Sequence, residues 1–122
     1  MNRKSKIQWL REPQKHDYAA AESYLSLTFE PDAAKKIIRG LETATVSEFA
    51  AKDIFRASWL PLLTSDSHVE KDRAKIILSE KISPILLVRD NKNGKVIIAD
   101  GYHRLCAVYS FNPDAMIPCK IV

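Results

Sequence analysis

The chain is poor in cysteine. Its two thiols, Cys106 and Cys119, match neither a disulfide framework nor a Cys/His metal motif. Both sit among apolar neighbours, the setting of a buried free thiol, and reduced thiols fit a cytoplasmic protein. Long apolar runs are missing as well. No stretch approaches the ~20 residues that span a bilayer, so the reading places the protein off the membrane. The basic start, Met1 to Lys6, is followed by no apolar h-region and does not read as a secretory signal. Aromatic side chains do not interleave with basic ones, which removes the usual stacking stripe of a single-strand nucleic-acid binder. Trp9, Trp59, Tyr18 and Tyr24 are instead read as core or docking residues. No internal repeat and no independent linker divides the chain.

What is present is enough for one domain. The chain has 122 residues, 46% of them hydrophobic, which is ordinary for a globular fold. Its net charge of +4 is a local excess. Residues 1–15 hold five of the 19 basic side chains and one of the 15 acidic ones, which leaves fourteen of each elsewhere. This basic N-terminal arm, residues 1–15, is read as solvated, with a phosphate-grazing role as the lesser alternative.

Hydrophobic spacing divides the remainder in two. Residues 16–44 form a helical extension. Tyr18, Ala21, Tyr24, Leu25 and Leu27 suggest one amphipathic helix over 16–27. A second spans 32–43 after Pro31, with Ala34, Ile37, Ile38 and Leu41 on its inner face. Gly40 is a weak stop signal, because that face continues past it. Residues 45–122 read as a strand at 46–50, a short helix or turn at 52–58 and a packed apolar loop at 59–63. A helix at 67–79 follows, capped by Ser65 or Ser67. Residues 82–99 form a hairpin with strands 82–88 and 95–99. A helix at 102–111 and a closing strand at 116–122 complete the chain.

Chemistry concentrates at Asp100-Gly101-Tyr102-His103-Arg104, where a β-rich run stops and a helix begins. A helix start leaves backbone N–H groups unpaired and carries partial positive charge, which suits an anion and above all a phosphate. His103 and Arg104 add donors to the same place. Lys52 and Arg56, four residues apart, read as phosphate donors or as a solvated basic edge; Asp53 and Ser58 accompany them. Asp66, His68 and Asp72 form a polar group near a helix start; His68 and Asp72, four apart, have a spacing that can bind a metal, but two ligands make no site. A helix cap with a surface salt pair suffices, and Lys71 between them can serve a phosphate. His16-Asp17-Tyr18 stands at the first helix, where Asp17 caps it or reaches the main site.

Three pieces, Ile82–Val88, Ile98–Ala107 and Ile117–Val122, resemble the ParB/sulfiredoxin superfamily in order and spacing over about residues 45–122. The middle piece looks like that family's Gly-x-His-Arg box. The resemblance implies an α+β, ParB/sulfiredoxin-like mixed-sheet domain with an N-terminal helical extension. It further implies nucleotide phosphates at the box, taken by Gly101, Tyr102, His103 and Arg104, with Lys52 and Arg56 nearby. Arg104 would stabilise a transferred phosphoryl group, and His103 or Asp100 would handle the proton. Asp100 would cap the helix or hold a metal-bound water. Mg²⁺ would accompany a nucleoside triphosphate, although no complete ligand set is visible. Two departures narrow the function. Sulfiredoxins carry a cysteine immediately before the His-Arg pair; Tyr102 stands there, and Cys106 lies one helical turn deeper. Partitioning ParB proteins carry a glutamate, paired arginines and a following helix-turn-helix, none of which is found here, so a sliding DNA clamp is not expected. The expectation is a phosphate- or nucleotide-binding protein, with phosphoryl transfer or nucleotide hydrolysis as the fitting chemistry. A DNA-associated protein or nuclease and a non-enzymatic interaction module are the alternatives.

Overall fold

The structure, a computed structural model, describes residues 7–122. Its elements are α1 (Lys15–Leu25), α2 (Pro31–Thr43), β1 (Ser47–Ala50), α3 (Ala51–Ser58), α4 (Ser67–Ile77), β2 (Ile85–Asp90), β3 (Lys95–Asp100), α5 (Tyr102–Phe111) and β4 (Met116–Ile121). The four strands form one mixed sheet in the order β1-β4-β2-β3. β4 runs parallel to β2 and antiparallel to β1, while β2 and β3 form an antiparallel hairpin. The molecule is therefore α+β with a mixed sheet, as the sequence suggests.

The sheet is covered on both faces, which explains why β2 reads as an unbroken apolar run rather than an alternation. Ile85 and Leu87 pack with Val96, Ile98, Ile117 and Cys119 against α3, α4 and α5. Leu86 and Val88 pack with Ala99 against Ala21, Leu25, Ala34, Ile38 and Leu41 of α1 and α2. Gly40 sits inside α2 where a Cβ would come within 3.3 Å of Val122, so close approach explains a glycine that does not end its helix.

Several expectations are corrected. The first hairpin strand begins at Ile85, not Ile82. Ile82 instead forms an isolated parallel bridge with Trp9, with Leu10 N–H donating to Ile82 O at 2.9 Å. Residues 8–10 of the basic arm are thus paired backbone, and Glu12 meets the buried Lys120 at 2.9 Å; Arg3, Lys4 and Lys6 lie outside the described residues. The loop 59–63 is not packed throughout, because α3 ends with Trp59 in the left-handed region and turns outward. Trp59, Leu60 and Leu62 are exposed, as are Tyr24 and Leu27 of the expected α1 stripe. Helix α4 stops at Ile77, and its cap is Asp66 rather than Ser65 or Ser67. Asp66 Oδ1 accepts from His68 N–H at 2.7 Å and from Val69 N–H at 3.3 Å.

The hairpin carries one irregularity that matters for function. Leu87 pairs with Ile98 but Leu86 pairs with Asp100, so Ala99 is an extra residue on β3. Simple alternation would send Asp100 to the side of Val96 and Ile98. The bulge instead sets it opposite Leu86, on the face covered by α1 and α2.

Candidate functional site

The β3–α5 junction turns on Gly101, the N-cap of α5, at φ 113°. That conformation favours glycine, and a Cβ there would lie 2.8 Å from Ile85 Cγ1 and 3.0 Å from Arg104 Nη2. No side chain caps the helix, and Asp100 does not take that role. The first N–H groups of α5 thus have no intrahelical acceptor and carry the positive end of the helix dipole.

Arg104 organises the junction from within. Its Nε donates to Ser83 O at 3.0 Å, and its Nη2 donates to Pro84 O at 3.2 Å and to Asp100 Oδ2 at 2.9 Å. The arginine and Asp100 side chains retain only 15% and 17% exposure. Arg104 thereby ties α5 to β3 and to the segment entering β2. Asp17 stands on α1, almost fully buried. Asp17 takes part in capping α1, not as its N-cap, which is Gln14, but as the third residue of a capping box. It occupies the first turn and accepts the N–H of Gln14 at 2.7 Å, while Gln14 Oε1 accepts the Ser83 hydroxyl at 3.0 Å. Burial raises the Asp100 carboxyl above its ordinary value; Arg104 opposes the rise and Asp17 adds to it.

Two spaces open beside this hub. A cleft of about 240 Å³ is lined by His68, Lys71, Asp72, Lys75 and the Asp100–Arg104 segment. A recess of about 80 Å³ lies against Gln14, His16, Asp17, Lys81 and Ser83, and shares Asp72, Lys75 and Arg104 with the cleft. Asp72, from α4, has no hydrogen-bond or ion-pair partner among the described residues. Burial pushes its carboxyl up, against the pull of Arg104, Lys75, His103 and Lys71. His103 stands at the mouth, its ring centroid 5.0 Å from that of His68 and its Nε2 3.8 Å from Asp66 Oδ1. Tyr102 turns away, its hydroxyl donating to Pro61 O, and so fastens the 59–63 loop. Cys106 is buried beneath it, its thiol pushed up by burial.

The structure brings together Asp100, Gly101, Tyr102, His103 and Arg104 with His68, Lys71 and Asp72. It leaves Lys52 and Arg56 elsewhere. Neither lines the cleft; Lys52 Nζ pairs with Asp114 at 2.6 Å and Arg56 is exposed on α3. Asp53 lines a separate apolar groove by the hairpin tip, and Ser58 is spent on the α3 terminus, donating to Phe55 O. Lys75 and Lys81 were not legible as site residues, for nothing in a surface lysine's neighbours announces a cleft. Among the described residues, no group of three or more His, Cys, Asp or Glu is arranged to hold a metal ion. Asp100 is engaged by Arg104 and Asp66 by its helix, so these side chains do not by themselves fit Mg²⁺. No helix of the described residues is long and apolar enough to cross a membrane. No protein-family model, curated protein or solved structure matches the chain.

Proposed function

We propose that the cleft at the start of α5 binds the phosphate end of a nucleotide or another phosphorylated small molecule. The observation that carries this reading is the uncapped helix start at Gly101, opening into a cleft lined by Lys71, Lys75, His68 and His103. Backbone N–H groups, the helix dipole and two lysines together favour an anion with several acceptor oxygens. Gly101 lets the backbone approach that anion. Arg104 enters chiefly as a positioning residue, because Nε and Nη2 are committed to Ser83, Pro84 and Asp100.

The element order from β1 to β4, with Gly-x-His-Arg at the strand-to-helix junction, supports a ParB/sulfiredoxin-like reading of the fold. If the site turns over, phosphoryl transfer or nucleotide hydrolysis fits it. The helix start and the lysines would stabilise charge on the transferred group, and His103 or Asp100 would move the proton. A nucleoside triphosphate would carry Mg²⁺ on its own phosphates and water.

Calorimetry with ATP, CTP and GTP, with and without Mg²⁺, tests the reading. The expected result is saturable binding that the Lys71→Ala/Lys75→Ala double variant weakens at least about tenfold. A folded wild-type protein that binds none of them at millimolar ligand overturns it.

A further inference from the structure

Beside the hairpin tip the sheet keeps an apolar floor that its helices do not cover. Phe49, Leu87, Val96 and Ile121 come from all four strands, and α3 walls them with Ile54 and Ala57. Together they line a hollow of about 400 Å³, within the range of ~300–1,000 Å³ usual for small-molecule sites. Phe49, Ala57 and Ile121 stay only partly buried, although they pack against the core. None of the residues lining this hollow lines the cleft at the α5 start. Four charged side chains stand at its edge, and two are already engaged. Asp90 accepts from the Asn93 backbone N–H at 3.3 Å and from Asn93 Nδ2 at 2.8 Å. Lys95 Nζ stands 5.4 Å from the centre of the Trp59 ring. The side chains of Arg89 on β2 and Asp53 on α3 form no hydrogen bond or ion pair among the described residues. They border one hollow from two elements without closing on each other.

We propose that this hollow binds a zwitterionic dipeptide with apolar side chains, its carboxylate at Arg89 and its ammonium at Asp53. The lining supplies both halves of that recognition. The apolar floor and wall take the peptide's side chains out of water, which is the main source of affinity. The unengaged guanidinium and the unengaged carboxylate set its direction. Charge separates this ligand from simpler ones. An apolar acid would use Arg89 alone, and an apolar amine Asp53 alone. A free amino acid carries both charges on one carbon. A dipeptide holds them about 7 Å apart, so it can meet two side chains that do not meet each other. Arg89 and Asp53 are exposed at the rim, so water screens both and each contributes modestly. The site is independent of what the α5 cleft binds.

Titration of the full chain with leucyl-leucine at neutral pH, followed by amide NMR, tests this. The expected result is saturable shifts at Phe49, Ile54, Ala57, Leu87 and Val96. Blocking the peptide's carboxylate as an amide, or its ammonium by acetylation, should weaken binding about two- to fivefold, the scale of one exposed charge pair. Arg89→Gln should weaken the parent dipeptide by that factor and leave the amide unaffected. Asp53→Asn should do the same for the parent and the acetylated form. Both positions are exposed, so neither variant burdens the fold. Free leucine should bind at least about tenfold more weakly, because it removes one apolar side chain fewer from water. Equal binding of the parent and both blocked forms overturns the proposal, as does free leucine that matches the dipeptide. Shifts centred instead on Tyr24 and Phe29, which line the space across the hairpin, overturn it as well, and so does the absence of saturable shifts at millimolar dipeptide.

Discussion

Arg104 ties α5 to Asp100 at the end of β3 and to the backbone that enters β2. Its position beside His103 at a helix start made it legible from sequence. Its acceptors did not, because Ser83 and Pro84 lie some twenty residues earlier and offer backbone carbonyls, which no side-chain pattern records. The consequence is a change in what its loss should do. Arg104→Ala removes the hydrogen bonds that join α5, β3 and the β2 entrance, and leaves the buried Asp100 without its cation. Removing one partner of a buried pair costs about 3 kcal/mol or more. Urea unfolding should show that loss in the absence of any ligand; stability within ~0.5 kcal/mol of wild type would contradict the internal role. Ligand affinity is better probed through Lys71 and Lys75, which have no partner of that kind to abandon.

At the scale of elements, period and breakers located nearly every helix and strand, and faces were harder. The apolar stripe expected on α1 included Tyr24 and Leu27, yet the buried positions are Asp17, Ala21 and Leu25. A search for apolar spacing discards a carboxylate on the inner face, so it rotated the helix away from the site. The β3 bulge had the same effect on Asp100, since alternation alone sends it to the opposite side of the sheet. Helix α4 offers a sharper test. His68 N–H holds the Asp66 carboxyl below its ordinary value, with the burial it suffers acting the other way. A carboxyl lowered in the folded state stabilises above its unfolded value, and the contribution disappears as pH falls through the folded one. Asp66→Ala should therefore lower Tm at neutral pH and lose most of that effect in strong acid. An equal difference at both extremes would contradict the cap.

Across the whole molecule, one sheet is buried by α1 and α2 on one face and by α3, α4 and α5 on the other. This plan was legible from the order of elements. The docking of residues 8–10 beside Ile82 was not, because it rests on backbone hydrogen bonds between segments more than seventy residues apart. The two thiols report on the integrity of this arrangement. Both are buried, and Cys119 is pushed up to about 12 by that burial, so neither offers a thiolate to an alkylating reagent near neutral pH. Iodoacetamide should modify both cysteines only as the protein unfolds, with the two sites labelled together along a urea series. Rapid labelling of either in the native protein would contradict the packing of that core.

The central claim is that the α5 start receives a phosphate. Amide NMR spectra recorded during titration with ATP measure this most directly. The account predicts saturable shifts at Gly101, Tyr102, His103 and Arg104, joined by Lys71 and Lys75, with the hairpin tip unmoved. Saturable shifts centred on Lys52 and Arg56, or none at millimolar ligand, would contradict it.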